Sequence, residues 1–466
     1  VKFINHPLGV NSQKHSPCFQ EISITRPSWT RVLILAGVAT TIGSSLPVGY
    51  NIGVVNSPAG PSVMHLDTFK VIKTFCNESV YSHYGTVLGK GGLSFLWSTI
   101  VSVFLVGGTI GSLGGSVFAD RAGRKGALVV SSIIGAVAGV LFFASKAANS
   151  VEMLICGRLL VGVSSGLITS VMPMYLTELA PRLLRGSMGV LCPLGVTFGV
   201  LLGQILSLYK ILELACIRNA KEEMLDHEIQ ELKLEEQDCD ATENSWNIIK
   251  VLMDKSLLLP LLLVCSLQAG QQFSGINAVF YYSVLIFQSA GLSLENSQLA
   301  TIAAGCCNLL MAIISIPVMA KFNRRNTLQL SLVTTAFFLI LLGLAIYFIS
   351  QVTWMPYLSI VGVLGFVICY GIALGPIPYF IGSELFEVGP RPSAMALGSM
   401  ANWGGNLVVG LCFQSMLSLM GAGSFFIFAI VVIALFFFVR DQRERSNSNS
   451  SFMQTRIFVK TTRIAS

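Results

Sequence analysis

Thirteen consecutive residues carry the densest polar chemistry in the chain: Gln271-Gln272-Phe273-Ser274-Gly275-Ile276-Asn277-Ala278-Val279-Phe280-Tyr281-Tyr282-Ser283. They follow an almost wholly apolar run from Leu257 to Leu267. The amides and hydroxyls supply many hydrogen-bond donors and acceptors and no charge. Inside hydrocarbon an unpaired polar group costs roughly 2–7 kcal/mol, so these side chains must meet other helices or a wet cavity. A cavity lined in this way suits a neutral, hydroxyl-rich solute. Gln268, Gln272 and Gly275 share a helical stripe at i, i+4 and i+7. Ser274 and Gly275 let the helix bend there, which turns Asn277 toward the same side. The plain alternative is that the amides only bridge helices, as intramembrane Asn and Gln often do.

The elements that must hold these residues are membrane helices. Of 466 residues, 53% are hydrophobic and 11% charged, whereas a soluble domain carries roughly 25% charged residues. A span needs about 20 largely apolar residues. Eleven segments qualify: 31–54, 94–118, 126–147, 153–176, 187–208, 256–286, 297–320, 328–350, 357–382, 394–419 and 422–439. The fold class is therefore an all-α polytopic membrane protein. Residues 1–30 are polar, include Pro7, Pro17 and Pro27, and read as a cytosolic tail rather than a cleaved signal. Most of the eleven cysteines, Cys156, Cys192, Cys265, Cys306, Cys307, Cys369 and Cys412 among them, lie in apolar spans as small packing residues, and none has metal-site spacing. No nucleophile–base or metal constellation appears, so neither an enzyme nor a cofactor is expected.

Charge placement sets the topology. Arg121, Arg124 and Lys125 follow the second span, Arg182 and Arg185 the fourth, and Lys321, Arg324 and Arg325 the span at 297–320. Arg391 follows the span at 357–382, and Arg440, Arg443 and Arg445 follow the last. The short loops at 287–296, 351–356 and 420–422 carry no Lys or Arg. The positive-inside rule puts the basic loops and both termini in the cytosol. This placement explains the formal charge of +7 without a nucleic-acid partner. The first loop is then outside, and it holds a glycosylation sequon, Asn77-Glu78-Ser79. Two cytosolic termini require an even number of spans, yet eleven are found. Between Leu208 and Ser256 the chain is acidic, with Glu222, Glu223, Asp226, Glu228, Glu231, Glu235 and Glu236 among apolar residues at soluble-helix spacing. A missing sixth span accounts for the odd number.

These residues resemble the facilitative sugar transporters of the major facilitator superfamily, of the glucose-transporter (GLUT) type, from about Arg31 to Arg440. The resemblance rests on Gly49-Tyr50-Asn51-Ile52-Gly53, Asp120-Arg121-Ala122-Gly123-Arg124-Lys125, Gly157-Arg158, and Pro173-Met174-Tyr175-Leu176-Thr177-Glu178 with Arg185-Gly186. It rests further on the thirteen-residue run, Gly375-Pro376-Ile377-Pro378-Tyr379-Phe380, Glu384-Leu385-Phe386, Gly389-Pro390-Arg391-Pro392, Asn402-Trp403 and Asn406. It implies two six-helix bundles with a sugar site between them, twelve spans where this chain has about eleven. The organisation expected is a tail at 1–30, a five-span bundle at 31–208, an acidic cytosolic linker at 209–255, a six-span bundle at 256–439 and a tail at 440–466.

The resemblance places Gln271, Gln272, Asn277 and Asn308 on the sugar hydroxyls, with Trp403 and Asn406 in the same site. Trp403 has a packing alternative. Tyr281 and Tyr282 would gate the outer side. Pro376 and Pro378 interrupt a span as a gating hinge or a static kink. Arg124, Arg158, Glu178, Arg185, Arg324, Arg325, Glu384 and Arg391 would latch the bundles at the cytosolic face; local caps and anchoring are the bland reading. Asn323 departs from the glycine usual in the second loop motif.

No Asp, Glu or His lies mid-span, and position 51 is Asn where proton-coupled relatives carry an acid. Passive uniport of a hexose by alternating access across the plasma membrane is the reading, with the lipid bilayer and a sugar as partners. Pro193, Gly371 and Tyr379 stand where glucose carriers have glutamine, glutamate and tryptophan. A non-transporting deletion form, or a carrier of another polyol or urate, is the alternative.

Overall fold

A computed structural model describes residues 29–54, 66–86, 89–181, 184–208, 247–289, 291–349, 351–352 and 354–448. The expected tail at 1–28, most of the linker, the end of the second tail and any element between 209 and 246 lie outside the described residues.

The first half contains α1 (Arg31–Gly53, with a π-helical turn over Thr41–Ser45), α2 (Leu66–Tyr84), α3 (Lys90–Arg121), α4 (Gly123–Ala147) and α5 (Val151–Leu179). The short α6 (Arg185–Gly189) and α7 (Leu191–Leu208) complete it. The second half contains α8 (Ile248–Met253), α9 (Lys255–Phe273), α10 (Ile276–Ser289), α11 (Leu294–Lys321), α12 (Arg324–Tyr347) and α13 (Met355–Cys369). A π-helical turn over Tyr370–Leu374 leads into α14 (Ile377–Leu385), followed by α15 (Arg391–Met420) and α16 (Gly423–Ser448). Ten helical stretches among the described residues are long and apolar enough to cross a membrane. The segment at 394–419, expected as a further span, forms α15, which has the length at 30 residues but is not among the ten. It carries Ser393, Ser399, Asn402 and Asn406 at buried positions.

In lipid no hydrophobic force brings helices together, so close backbone approach must do it. The α3–α5 contact is built this way. A Cβ on Gly162 or Gly166 of α5 would run into the backbone of α3 at Phe104 or Gly108, and a Cβ on Gly107 or Gly111 would run into α5. Gly49 and Gly53 of α1 meet Val196 and Val200 of α7 in the same manner.

Two hydrophobic cores result. One gathers Phe104, Met172, Leu176 and Met188; the other gathers Phe366, Phe380, Phe413 and Phe425. Met395 and Trp403 of α15 pack into the first core and Val190 into the second, so the halves interlock.

Two spans are broken where the site lies. The segment read as one span at 256–286 divides at Ser274 and Gly275, because Gly275 takes φ +84°, a conformation that L side chains avoid. Gly275 therefore does not continue the stripe of Gln268 and Gln272. The segment at 357–382 divides at the Pro376/Pro378 pair, where missing N–H groups stop the helical ladder. Asp254 caps α9: its carboxylate accepts from the Ser256 hydroxyl at 2.7 Å and N–H at 2.9 Å, which hold it below the usual carboxylate range.

Outside the spans, α2 docks on the start of α5. Ser79 Oγ, fully buried, accepts from Val151 N at 2.9 Å, and Tyr84 donates to Glu152 at 3.0 Å. The sequon Asn77-Glu78-Ser79 thus sits on a helix, with its serine spent on holding that helix in place.

Candidate substrate cavity

The freed carbonyls of the second break explain one amide. Leu374 O would normally accept from residue 378, but Pro378 has no N–H. Gln271 Nε2 takes over, donating to Leu374 O at 3.2 Å and Gly375 O at 2.6 Å. One helical turn away, Gln268 Nε2 donates to Pro378 O at 2.9 Å. The broken span is therefore stitched to α9 by two glutamines.

Asn402 of α15 closes the network. Its Nδ2 donates to Gln268 O (3.2 Å), Gln268 Oε1 (2.9 Å) and Gln271 Oε1 (2.7 Å), and its Oδ1 accepts from Gln272 Nε2 at 3.0 Å. Gln272 Oε1 accepts from Asn277 Nδ2 at 2.6 Å, across the Gly275 bend. Gln268, Gln271, Gln272 and Asn402 are all at least 94% buried, at 2%, 1%, 4% and 6% exposure. Buried amides tolerate that only because their partners are in place.

The network backs a cavity between the two bundles of about 90 Å³, room for several waters at roughly 10–15 Å³ each. Gln271, Gln272, Asn277, Asn308, Trp403 and Asn406 all line it, as do Pro376 and Asn402, and among the described residues no charged one does. Pro193, Gly371 and Tyr379, where the sequence departs from the glucose-carrier pattern, also lie in its wall. Trp403 is 3% exposed; its indole N–H donates to Thr169 Oγ1 at 2.8 Å and its ring meets Phe104 edge-on at 5.4 Å. Its donor is spent between the bundles, so only ring surface is left for the cavity. Pro378 lies behind the wall, under Gln268. Tyr281 and Tyr282 fall on α10, but their side chains are outside the described part.

At the end where the basic loops gather, Glu178 holds two arginines. Arg124 Nε lies 3.0 Å from Glu178 Oε2, and Arg391 Nη1 lies 2.7 Å from Glu178 Oε1. The second contact joins the bundles. Thr177 donates to Ser383 Oγ at 2.9 Å beside it. Arg324 pairs with Glu384 at 2.9 Å within its own bundle, close in charge without an aligned N–H, while its guanidinium packs on Gly186 of the other. Arg185 donates to Ala180 O at 3.4 Å and adds its positive field at Glu384.

Two members of the expected latch lie elsewhere. Arg158 is 20 residues from Glu178 along α5, about 30 Å of helix. It is 6% exposed, donates to Ile100 O and Asn51 O at 3.3 Å, and lies over the Phe104 ring. It ties α1 to α3 near the opposite end, because α5 starts there. Arg325 is at the basic end but donates to Val439 O (3.2 Å) and Arg440 O (3.3 Å), holding α16 within its own bundle.

Asn402 enters the sequence pattern only through the Asn402-Trp403 motif, with no role of its own. The signal was there: Ser399, Asn402 and Asn406 recur at i, i+3 and i+7, one stripe of an otherwise apolar helix. Ser399 Oγ meets Ser112 and Thr169 across the bundle interface, each at 3.0 Å.

A broken-helix cavity between two interlocked helical bundles is the architecture of a membrane carrier, and comparison with known proteins agrees. The profile of the family described as "Sugar (and other) transporter" matches residues 36–212 and 213–440. The facilitated glucose transporter member 1 of solute carrier family 2 from Gallus gallus is 35% identical over 453 residues, covering 88% of this chain and 90% of its own. Member 5 from Equus caballus is 34% identical over 451 residues, covering 87% of each. Among solved structures, the proton:xylose symporter XylE bound to 6-bromo-6-deoxy-D-glucose superposes with a TM-score of 0.66 at 20% identity, over 88% of this chain and 95% of that one. This chain belongs to the sugar transporter family. It has the major-facilitator fold and is a multi-pass membrane transporter rather than an enzyme.

Proposed function

We propose that the chain carries a hexose passively across the plasma membrane by alternating access, with the basic end and both termini in the cytosol. The observation that carries this is the uncharged amide cavity seated at two broken spans between the bundles. Among the described residues Asn308 makes no hydrogen bond and Asn277 Oδ1 accepts none, so these two can meet sugar hydroxyls directly. The closed network of Gln271, Gln272 and Asn402 orients them. The Pro376/Pro378 break is the hinge, and Tyr281 and Tyr282 are the outer gate. A passive carrier needs no titrating group in its path, and among the described residues the cavity wall has none of Asp, Glu, His, Lys or Arg. Sealed vesicles containing the purified chain test this. Labelled glucose should show counterflow against an internal sugar load, unchanged by an imposed pH gradient; its absence, or dependence on that gradient, refutes the proposal.

The Glu178 triad is the latch that holds the basic end closed. Glu178→Gln leaves Arg124 and Arg391 facing each other without their anion. The closed state should lose roughly 1–2 kcal/mol, because the pair is about a quarter exposed on the Glu178 side and solvent screens part of the field. A cysteine placed at Ser383 should then react several-fold faster with an impermeant thiol reagent from the basic side. An unchanged rate would remove Glu178 from the gating account.

A second reading is favoured by one observation. α9 runs antiparallel to α14, with Gln271 against Leu374, Gln268 against Pro378 and Val264 against Gly382, so Lys255 starts at the basic end. α7 starts near that end, after α6, and its 18 residues reach the other, about 27 Å away. The sequence from 209 to 254 must join opposite ends, yet it is acidic and has no apolar stretch of span length. On this reading the chain is a non-transporting deletion form whose halves insert in opposed orientations. Protease protection of a tag after Arg440, relative to the glycan expected at Asn77, separates the two: tag and glycan on opposite sides fit the carrier, and on the same side the deletion form.

A further inference from the structure

The cavity has two unlike walls. Val48, Ile52, Val190, Pro193, Val196 and Val200 face it from the first half of the chain. The two hydroxyls on that side have already spent their donors and can only accept. Thr197 donates to Pro193 O at 2.8 Å. Thr169 donates back to Ser165 O at 3.0 Å and accepts from Trp403 at 2.8 Å. The opposite wall carries the amides, of which Asn277 and Asn308 keep valences open. Gly371 and Pro193 add no polar group on either side.

We infer that this cavity selects an uncharged solute with one hydroxyl-bearing edge and one apolar face, and discriminates against a hydroxyl aimed at the Pro193 wall. The inference rests on the carrier reading above. The physical reason is desolvation. A hydroxyl pressed on Val48, Pro193 and Val196 gives up water and finds no partner, whereas one that meets Asn308 or Asn277 replaces water with an amide. A hexose that fills the cavity with a hydroxyl on every ring carbon sets one against this apolar wall. Replacing that hydroxyl by hydrogen should improve binding, and replacing one on the amide edge should weaken it, because a site built to hydrogen-bond a hydroxyl rejects the analogue lacking it.

The test is displacement of labelled glucose from the purified chain by each monodeoxy-D-glucose. The expected pattern is one position at which the deoxy sugar binds on the order of tenfold tighter than glucose, with losses of similar size at others. Pro193→Gln should erase the gain at that position and leave the losses. Proline stands in the first turn of α7, where its missing N–H serves no helical bond, so glutamine is accommodated. Val200→Asn gives the same readout about two turns further along the same helical face, should Pro193→Gln not yield folded protein. If glucose binds and every deoxy analogue binds more weakly, the inference is overturned and the carrier reading stands. If neither glucose nor any analogue binds, both are overturned.

Discussion

Asn402→Ala should nearly abolish uptake. The substitution strips Gln268 Oε1, Gln271 Oε1 and Gln272 Nε2 of their shared partner on α15 at one stroke. Each orphaned buried group costs roughly 1–3 kcal/mol, and neighbours in one network do not add simply. Asn402 touches the cavity, so water will repair part of the loss; a net of about 2–4 kcal/mol is expected. Gln271 would then be free to leave Leu374 and Gly375, and the broken span would lose its stitch to α9. Uptake per surface molecule should fall by roughly 30- to 1,000-fold. Asn402→Asp should be no better, since an ionised carboxylate cannot donate to Gln268 or Gln271 and would bury a charge. Uptake within threefold of the parent would mean that the network is scaffolding of no consequence to the site.

Gly275→Val should remove folded protein from the membrane. Two costs act together. The φ of +84° costs an L residue roughly 1–2 kcal/mol, and more when the side chain is β-branched. A Cβ there also overlaps the ring of Phe428, an overpacking cost of roughly 1–3 kcal/mol. The two can be separated. Gly275→Ala with Phe428→Leu relieves the ring contact and leaves the backbone cost, so surface protein should recover partly. Full recovery would show that the bend between α9 and α10 tolerates an ordinary residue, and that the position of Asn277 does not depend on it.

The membrane class, the family and most cavity residues were legible in the sequence because polar side chains in an apolar run have few places to go. Gln271, Gln272, Asn277, Asn308, Trp403 and Asn406 meet in one cavity as the residue pattern and the resemblance required. Less legible was what those amides do for one another. Hydrogen-bond partners 103 to 134 residues apart are set by how α9, α14 and α15 cross, which no local spacing encodes. The role of Asn402 is therefore invisible in local spacing. Arg158 lies away from the latch for a simpler reason: span direction alternates, and the fourth span begins at the end remote from the basic loops. Arg325 has the right end but reaches α16 of its own bundle, donating to the Val439 and Arg440 carbonyls inside that helix. Trp403 shows the limit of residue type as a guide. Its ring and its donor have separate employments, and only the fold reveals that Thr169 holds the donor.

The most direct test of the account is uptake of labelled glucose and fructose by cells expressing this chain, normalised to surface-labelled protein, with and without collapse of the proton gradient. A passive carrier with an uncharged cavity predicts saturable uptake of at least one of the two, unaffected by the collapse. Surface protein with no saturable uptake of either would contradict the account.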